Sequence, residues 1–212
     1  MHELHMHQKK KWMCHNFIAG IRIPLSYINN SLGQDDNQNN AMNHFREPGF
    51  YEASYICRNT NGYYQNFNVT VQYNKRITPE MLSHALRNMI LQNQNLYTNF
   101  FRKADTSAKD DETYNGRNFQ ARPVKEILFS NIVSFQPIPG DFNDSYLEGI
   151  SYYLPLMNTE DPLWRVIVFE SPQKQFVTFY CDHALFDGTA GTQFHRDLIS
   201  ELAKELEHDY VL

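Results

Sequence analysis

The chain alternates between two periods of apolar and polar positions. From Gln65 to Tyr73, the apolar residues Phe67, Val69, Val71 and Tyr73 fall on every second position, the repeat of a half-buried β-strand. Thr78-Pro79-Glu80 then places a cap, a proline and an acid ahead of Leu82, Ala85, Leu86, Met89 and Ile90, the spacing of a helix that buries one face. Asn95 to Arg102 reads as a second strand, Lys103 to Asn118 as a charged loop, and Val124 to Phe135 as a strand ended by Pro137, Pro139 and Gly140. A weaker helical pattern runs from Phe142 to Leu156. Leu163 to Phe169 and Gln175 to Tyr180 are β-rich runs joined by Ser171-Pro172-Gln173-Lys174, which predicts an antiparallel hairpin. Thr192 to Leu206 sets Phe194, Leu198, Ile199, Leu202 and Leu206 on one helical face. Together these elements predict an α/β sandwich with a mostly antiparallel mixed sheet and flanking helices.

Upstream of Gln65 the pattern weakens. Gly33 to Asn43 is polar and of low complexity, and reads as a connector. Residues 1–43 are therefore expected to form a disordered or loosely ordered tail, with an ordered domain over 44–212. His2, His5, His7 and His15 cluster in that tail, but no Cys-x-x-Cys or His-Glu-x-x-His spacing fixes a coordination sphere, so no metal site is expected. The Lys9 to Trp12 run leaves peripheral membrane contact open, although it is too short to anchor the chain by itself.

Composition narrows the function classes. With 212 residues, 42% hydrophobic and 20% charged, the chain can bury a real core. Its net charge of −5 lacks the basic footprint of a protein that grips phosphate backbones, so nucleic acid is not an expected partner. Three cysteines, Cys14, Cys57 and Cys181, sit in no pairable spacing, and no signal peptide or membrane-length apolar run is present in the sequence. These features suit an intracellular, reducing setting.

The segment between the hairpin and the last helix carries the candidate chemistry: Cys181-Asp182-His183-Ala184-Leu185-Phe186-Asp187-Gly188. A loop between a strand end and a helix start is a common place for functional side chains. Near physiological pH a neutral histidine can accept a proton, and a carboxylate four residues later can orient either the ring or the loop. The same spacing also fits a histidine hydrogen-bonded in a loop beside an acid. Cys181 two positions earlier reads as a buried free thiol rather than a nucleophile. No Gly-x-Ser-x-Gly elbow, P-loop or dinucleotide fingerprint is found.

His183 to Gly188 resembles the His-x-x-x-Asp-Gly (HxxxD) motif of the CoA-dependent acyltransferase superfamily, which includes chloramphenicol acetyltransferase, the plant BAHD enzymes and peptide-synthetase condensation domains. Glu47-Pro48-Gly49-Phe50-Tyr51-Glu52 and Gly62-Tyr63-Tyr64-Gln65-Asn66-Phe67 further resemble the opening of the fungal alcohol acetyltransferase branch. The resemblance implies a chloramphenicol acetyltransferase-like fold, and an alcohol O-acetyltransferase that uses acetyl-CoA as cosubstrate, with no permanently bound cofactor. A small or medium-chain alcohol would be the acceptor. It also implies His183 as general base, Asp187 as a structural residue typically paired with an arginine, and Gly188 as room for the substrate channel. Condensation domains usually carry a second histidine where this chain has Asp182. Members of the superfamily have two similar domains with a tunnel between them, so this chain resembles an N-terminal half, against which a C-terminal domain is expected to pack. Acetylation of an amine such as a sphingoid-like compound, or a catalytically silent binding module, are the alternatives. Cytoplasm, or the periphery of endoplasmic reticulum or lipid droplets, is the implied location.

Overall fold

The computed structural model describes residues 21–25, 45–63, 66–104, 116–151 and 156–208. Its centre is a four-stranded sheet. Strand β1 (Arg22–Pro24), helix α1 (Phe50–Thr60), β2 (Asn66–Tyr73), α2 (Pro79–Gln92) and β3 (Thr98–Arg102) come first. They are followed by β4 (Phe119–Pro123), β5 (Glu126–Leu128), α3 (Phe129–Ile132), β6 (Val133–Pro137), α4 (Ser145–Ser151), β7 (Trp164–Glu170), β8 (Gln175–Asp182) and α5 (Gly188–His208). The central sheet runs β2-β8-β7-β6, antiparallel except for the parallel β6/β7 pair. Two short antiparallel ribbons, β1-β5 and β3-β4, complete the β-structure of the described residues.

Local chemistry explains the elements. Helix α2 starts where Thr78 Oγ1 accepts the Met81 N–H at 3.3 Å, with Pro79 in the first turn. The hairpin turn closes on itself through Ser171: its N–H donates to the Lys174 carbonyl at 2.9 Å, and its Oγ accepts the Lys174 N–H at 3.0 Å. Phe67, Val69, Val71 and Tyr73 do share one face of β2, which pairs with β8 from Phe67 opposite Cys181 to Tyr73 opposite Gln175. That face receives α5. His195 of α5 bridges to β2, with Nε2 2.9 Å from the Val69 carbonyl and Nδ1 3.1 Å from the Tyr73 hydroxyl. A Cβ at Gly191 would come within 2.6 Å of Val69 Cγ2, so only glycine allows the helix to lie this close.

The core forms on the same side. Phe179 and Phe194 stack at 3.9 Å, Trp164 lies 5.9 Å from Phe194, and Trp164 Nε1 donates to the Leu96 carbonyl at 2.9 Å. Burying one such ring contributes about 1.5–3 kcal/mol, so this cluster fixes the end of β8 against α5. A second aromatic group, Phe142, Tyr146, Phe169 and Phe176, covers the other sheet face.

Several expectations are corrected. Residues 21–25 fall inside the stretch read as a tail, yet β1 pairs with β5 and buries Ile23 and Leu25. The histidine cluster and the Gly33 to Asn43 connector lie outside the described residues. Asn95 to Arg102 is not one strand: a 3₁₀ turn, Gln94–Tyr97, precedes β3 because Asn93 Oδ1 captures the Asn95 N–H. Val124 to Phe135 splits into β5, α3 and β6: Ser130-Asn131 separate Phe129 from Ile132 at helical spacing, and both of those side chains are buried in the single turn of α3. Strand β4 and helix α1 were not anticipated. Ile199 is half exposed on α5, turned away from the face that buries Leu198 and Leu202.

Candidate active site

The motif turn is built by two aspartates acting on backbone. Asp182 ends β8, and its Oδ1 accepts the Ala184 N–H at 2.8 Å. Its carbonyl accepts the N–H groups of Leu185 and Phe186 at 3.3 and 3.2 Å. Asp187 then caps α5: Oδ1 accepts the Ala190 N–H at 2.7 Å and its carbonyl accepts Gly191 N–H at 2.9 Å. Ala184 and Phe186 are buried between these turns, with Phe186 edge-on to Phe179 at 5.4 Å. The two apolar anchors leave His183 half-buried and Asp187 exposed on the other side of the turn.

The His183 ring lies flat on Tyr55 of α1, centroids 4.2 Å apart and planes 9° from parallel. Phe67 of β2 closes a second side at 4.8 Å. Beside this stack is a cavity of about 500 Å³ lined by Tyr55, Arg58, Tyr63 and His183. The Arg58 guanidinium carbon sits 5.3 Å from the Tyr55 ring centroid, a cation–π distance. This open pocket therefore brings together one imidazole, one guanidinium and aromatic walls.

The predicted site residues are thus brought to one turn but put to different uses. His183 faces the cavity. The Asp187 carboxylate serves the helix start, and no arginine pairs with it among the described residues. Gly188 is the first residue of α5, and a Cβ placed on it would meet nothing within 4 Å. Cys181 is fully buried, and burial pushes its thiol well above the usual range, with Asp182 and Asp187 adding to the effect. It cannot readily become the thiolate that a nucleophile requires.

Tyr55, Arg58, Asn59 and Asp182 were not singled out from sequence for this site. Asp182 is wholly buried, and its Oδ2 accepts a hydrogen bond from Asn59 Nδ2 of α1. Burial pushes its carboxyl up to about 7, against the bonds from Ala184 and Asn59 that favour the ionised form. Next to it on β8, burial raises the Tyr180 phenol to about 12, and its hydroxyl accepts Asn66 Nδ2 at 2.6 Å.

The fold is that of the chloramphenicol acetyltransferase-like class. A singly substituted form of the starter condensation domain of rhizomide synthetase matches over 73% of this chain and 36% of its own length, with a TM-score of 0.53 and 13% identity. A doubly substituted form of that domain matches over 77% and 38%, at a TM-score of 0.58 and 11% identity. The epimerization domain from the third module of tyrocidine synthetase B matches over 68% and 31%, at 0.50 and 12%. The chain spans about a third of the length of these solved structures. No curated protein gives a significant sequence match. The alcohol acetyltransferase family model matches residues 47–211, and the chain belongs to that family.

Among the described residues no helix is long and apolar enough to cross a membrane. No group of three or more histidine, cysteine or acidic side chains there could hold a metal ion.

Proposed function

We propose that the protein is an acyl-CoA-dependent acyltransferase that moves the acetyl group of acetyl-CoA to an alcohol hydroxyl, giving an acetate ester and free CoA. The observation that carries this reading is the placement of His183, on a turn fixed at both ends, with its ring lining a cavity. Membership of the alcohol acetyltransferase family supports the choice of reaction.

In this mechanism the neutral imidazole of His183 accepts the proton of the acceptor hydroxyl as the oxygen attacks the thioester carbonyl. The tetrahedral intermediate collapses, the carbon–sulfur bond breaks, and the leaving thiolate takes the proton back from the imidazolium. No bond forms between acyl group and protein. Asp187 holds the turn by capping α5, and Gly188 leaves space beside it. The aromatic walls favour a small or medium-chain alcohol. A second domain packs against this one and completes the tunnel and the CoA site, a reading supported by the fraction of the solved structures that the chain spans. The protein works inside the cell, in the cytoplasm or at the periphery of endoplasmic reticulum or lipid droplets.

The test is a product assay on the complete protein with acetyl-CoA and panels of alcohols and amines. One acetate ester formed for each CoA released, with alcohols only, is the expected result. CoA release with amines alone would replace the ester-forming reaction by N-acetylation. Absence of transfer to any acceptor would favour a catalytically silent binding module.

A further inference from the structure

Helix α1 meets the motif turn at two points. Tyr55 lies on the His183 ring at 4.2 Å, and Asn59 Nδ2 donates to Asp182 Oδ2. Tyr55 and Asn59 are four positions apart and so share one helix face, while His183 and Asp182 are adjacent on the turn. The Asp182 carboxylate belongs to both sides: one oxygen takes the Ala184 N–H of the turn and the other takes the helix amide.

Besides this pair of contacts, α1 is held by the turn at Gly116, which packs on Ala53 and donates its N–H to Cys57 Sγ at 3.1 Å, on residues other than Tyr55 and Asn59. Ile56 is its one fully buried residue. At the far end, Glu52 closes the cap by accepting the Gly49 N–H at 2.6 Å and pairs with Arg46 in a two-pronged bond. A wholly buried carboxylate is costly unless every oxygen is bonded, and here the bonds it makes tie exactly two things together: the strand end that carries His183 and the helix that carries Tyr55.

We propose that Asn59 and Asp182 form a latch that sets α1 against the motif turn and so, through Tyr55, holds the His183 imidazole in its working orientation. The inference rests on the acyl-transfer reading above. Both are positioning residues: neither lines the cavity. Displacing a catalytic group by about 1 Å can cost on the order of 10²-fold in rate, which sets the scale of the effect.

The test uses the complete protein with Asn59→Ala, Asp182→Asn, and the double exchange of Asn59→Asp with Asp182→Asn. Asp182→Asn alone keeps the Ala184 bond but needs the Asn59 amide to turn over and present its oxygen to the new NH2. In the exchange, the new amide at position 182 still accepts the Ala184 N–H and donates to the new carboxylate at position 59. Two readouts are taken: acetyl-transfer kinetics, and the NMR shifts of the His183 ring protons, assigned by their loss in His183→Gln. Asn59→Ala is expected to lower kcat by about 10- to 100-fold with KM little changed, and to move the ring protons out of the shielding of Tyr55; Asp182→Asn falls between it and wild type, and the exchange restores both readouts. Unaltered kcat and unaltered ring shifts in Asn59→Ala overturn the latch, as does an exchange that folds but restores neither. If Asp182→Asn does not fold, Asn59→Ala, at a partly exposed position, carries the same decision. If the wild type transfers no acyl group, the ring shifts still decide the latch, and the acyl-transfer reading alone fails.

Discussion

The imidazole of His183 and the ring of Tyr55 lie face to face, 4.2 Å between centroids, although one comes from the turn after β8 and the other from α1. With Phe67 tilted against a second side at 4.8 Å, the ring's rotamer is set by packing from two separate elements, which is how a catalytic group is kept in one geometry. Tyr55→Leu should lower turnover by about tenfold and reduce stability by roughly the value of an aromatic pair, about 0.5–1.5 kcal/mol. Tyr55→Phe keeps the ring and should lose much less of both. Steady-state kinetics with thermal melts read the two effects, and wild-type turnover in Tyr55→Leu would remove the stack from the mechanism.

Asp187 is exposed and spends its carboxylate on the Ala190 N–H. Asparagine caps helices about as well as aspartate, whereas alanine does not. Asp187→Asn should therefore stay within a few tenths of a kcal/mol of wild type, and Asp187→Ala should lose about 1 kcal/mol. Equal losses in denaturant unfolding of the two variants would point to a charge partner instead of a cap.

Asp182 makes stability depend on pH in an unusual direction. Its carboxyl sits at about 7 in the folded chain, above the ordinary 3.8, so between these values the folded state binds more protons than the unfolded one and stability falls as pH rises. Asp182→Asn has no such proton to lose. Measured from pH 4 to pH 7, the stability of wild type relative to Asp182→Asn should decline by up to about 1.4 kcal/mol per pH unit and level off above pH 7. A constant difference across that range would show that the carboxylate is not buried as described.

The elements legible in the sequence were those whose local signals agree. In β2 the alternation is unbroken, α2 has a cap and a first-turn proline, and the β7/β8 hairpin has its turn residues in place. The motif turn was marked by its resemblance to the His-x-x-x-Asp-Gly motif; by spacing alone His183 and Asp187 read equally well as a histidine and an acid in a structural loop. Helix α1 was not legible, because it is short and rich in aromatic and polar residues, lacks a side-chain cap from Ser, Thr, Asp or Asn, and follows Pro48-Gly49, which looks like a turn. Tyr55 and Asn59 were missed along with it. Asp182 reads in sequence as an acid at a strand end, where solvent is the default; its burial depends on Asn59, 123 positions away, and no local pattern carries that contact. Ile199 was misplaced because it neighbours Leu198, and residues next to each other on a helix point about 100° apart.

The most direct measurement of the central claim is the turnover of the complete protein carrying His183→Ala, with acetyl-CoA and its best alcohol acceptor. If His183 takes the acceptor's proton, kcat should fall by about 10²–10⁴, the usual weight of a general base, with the affinity for acetyl-CoA little changed. A His183→Ala protein that turns over at close to the wild-type rate would contradict the account, and the turn between β8 and α5 would then be structural only.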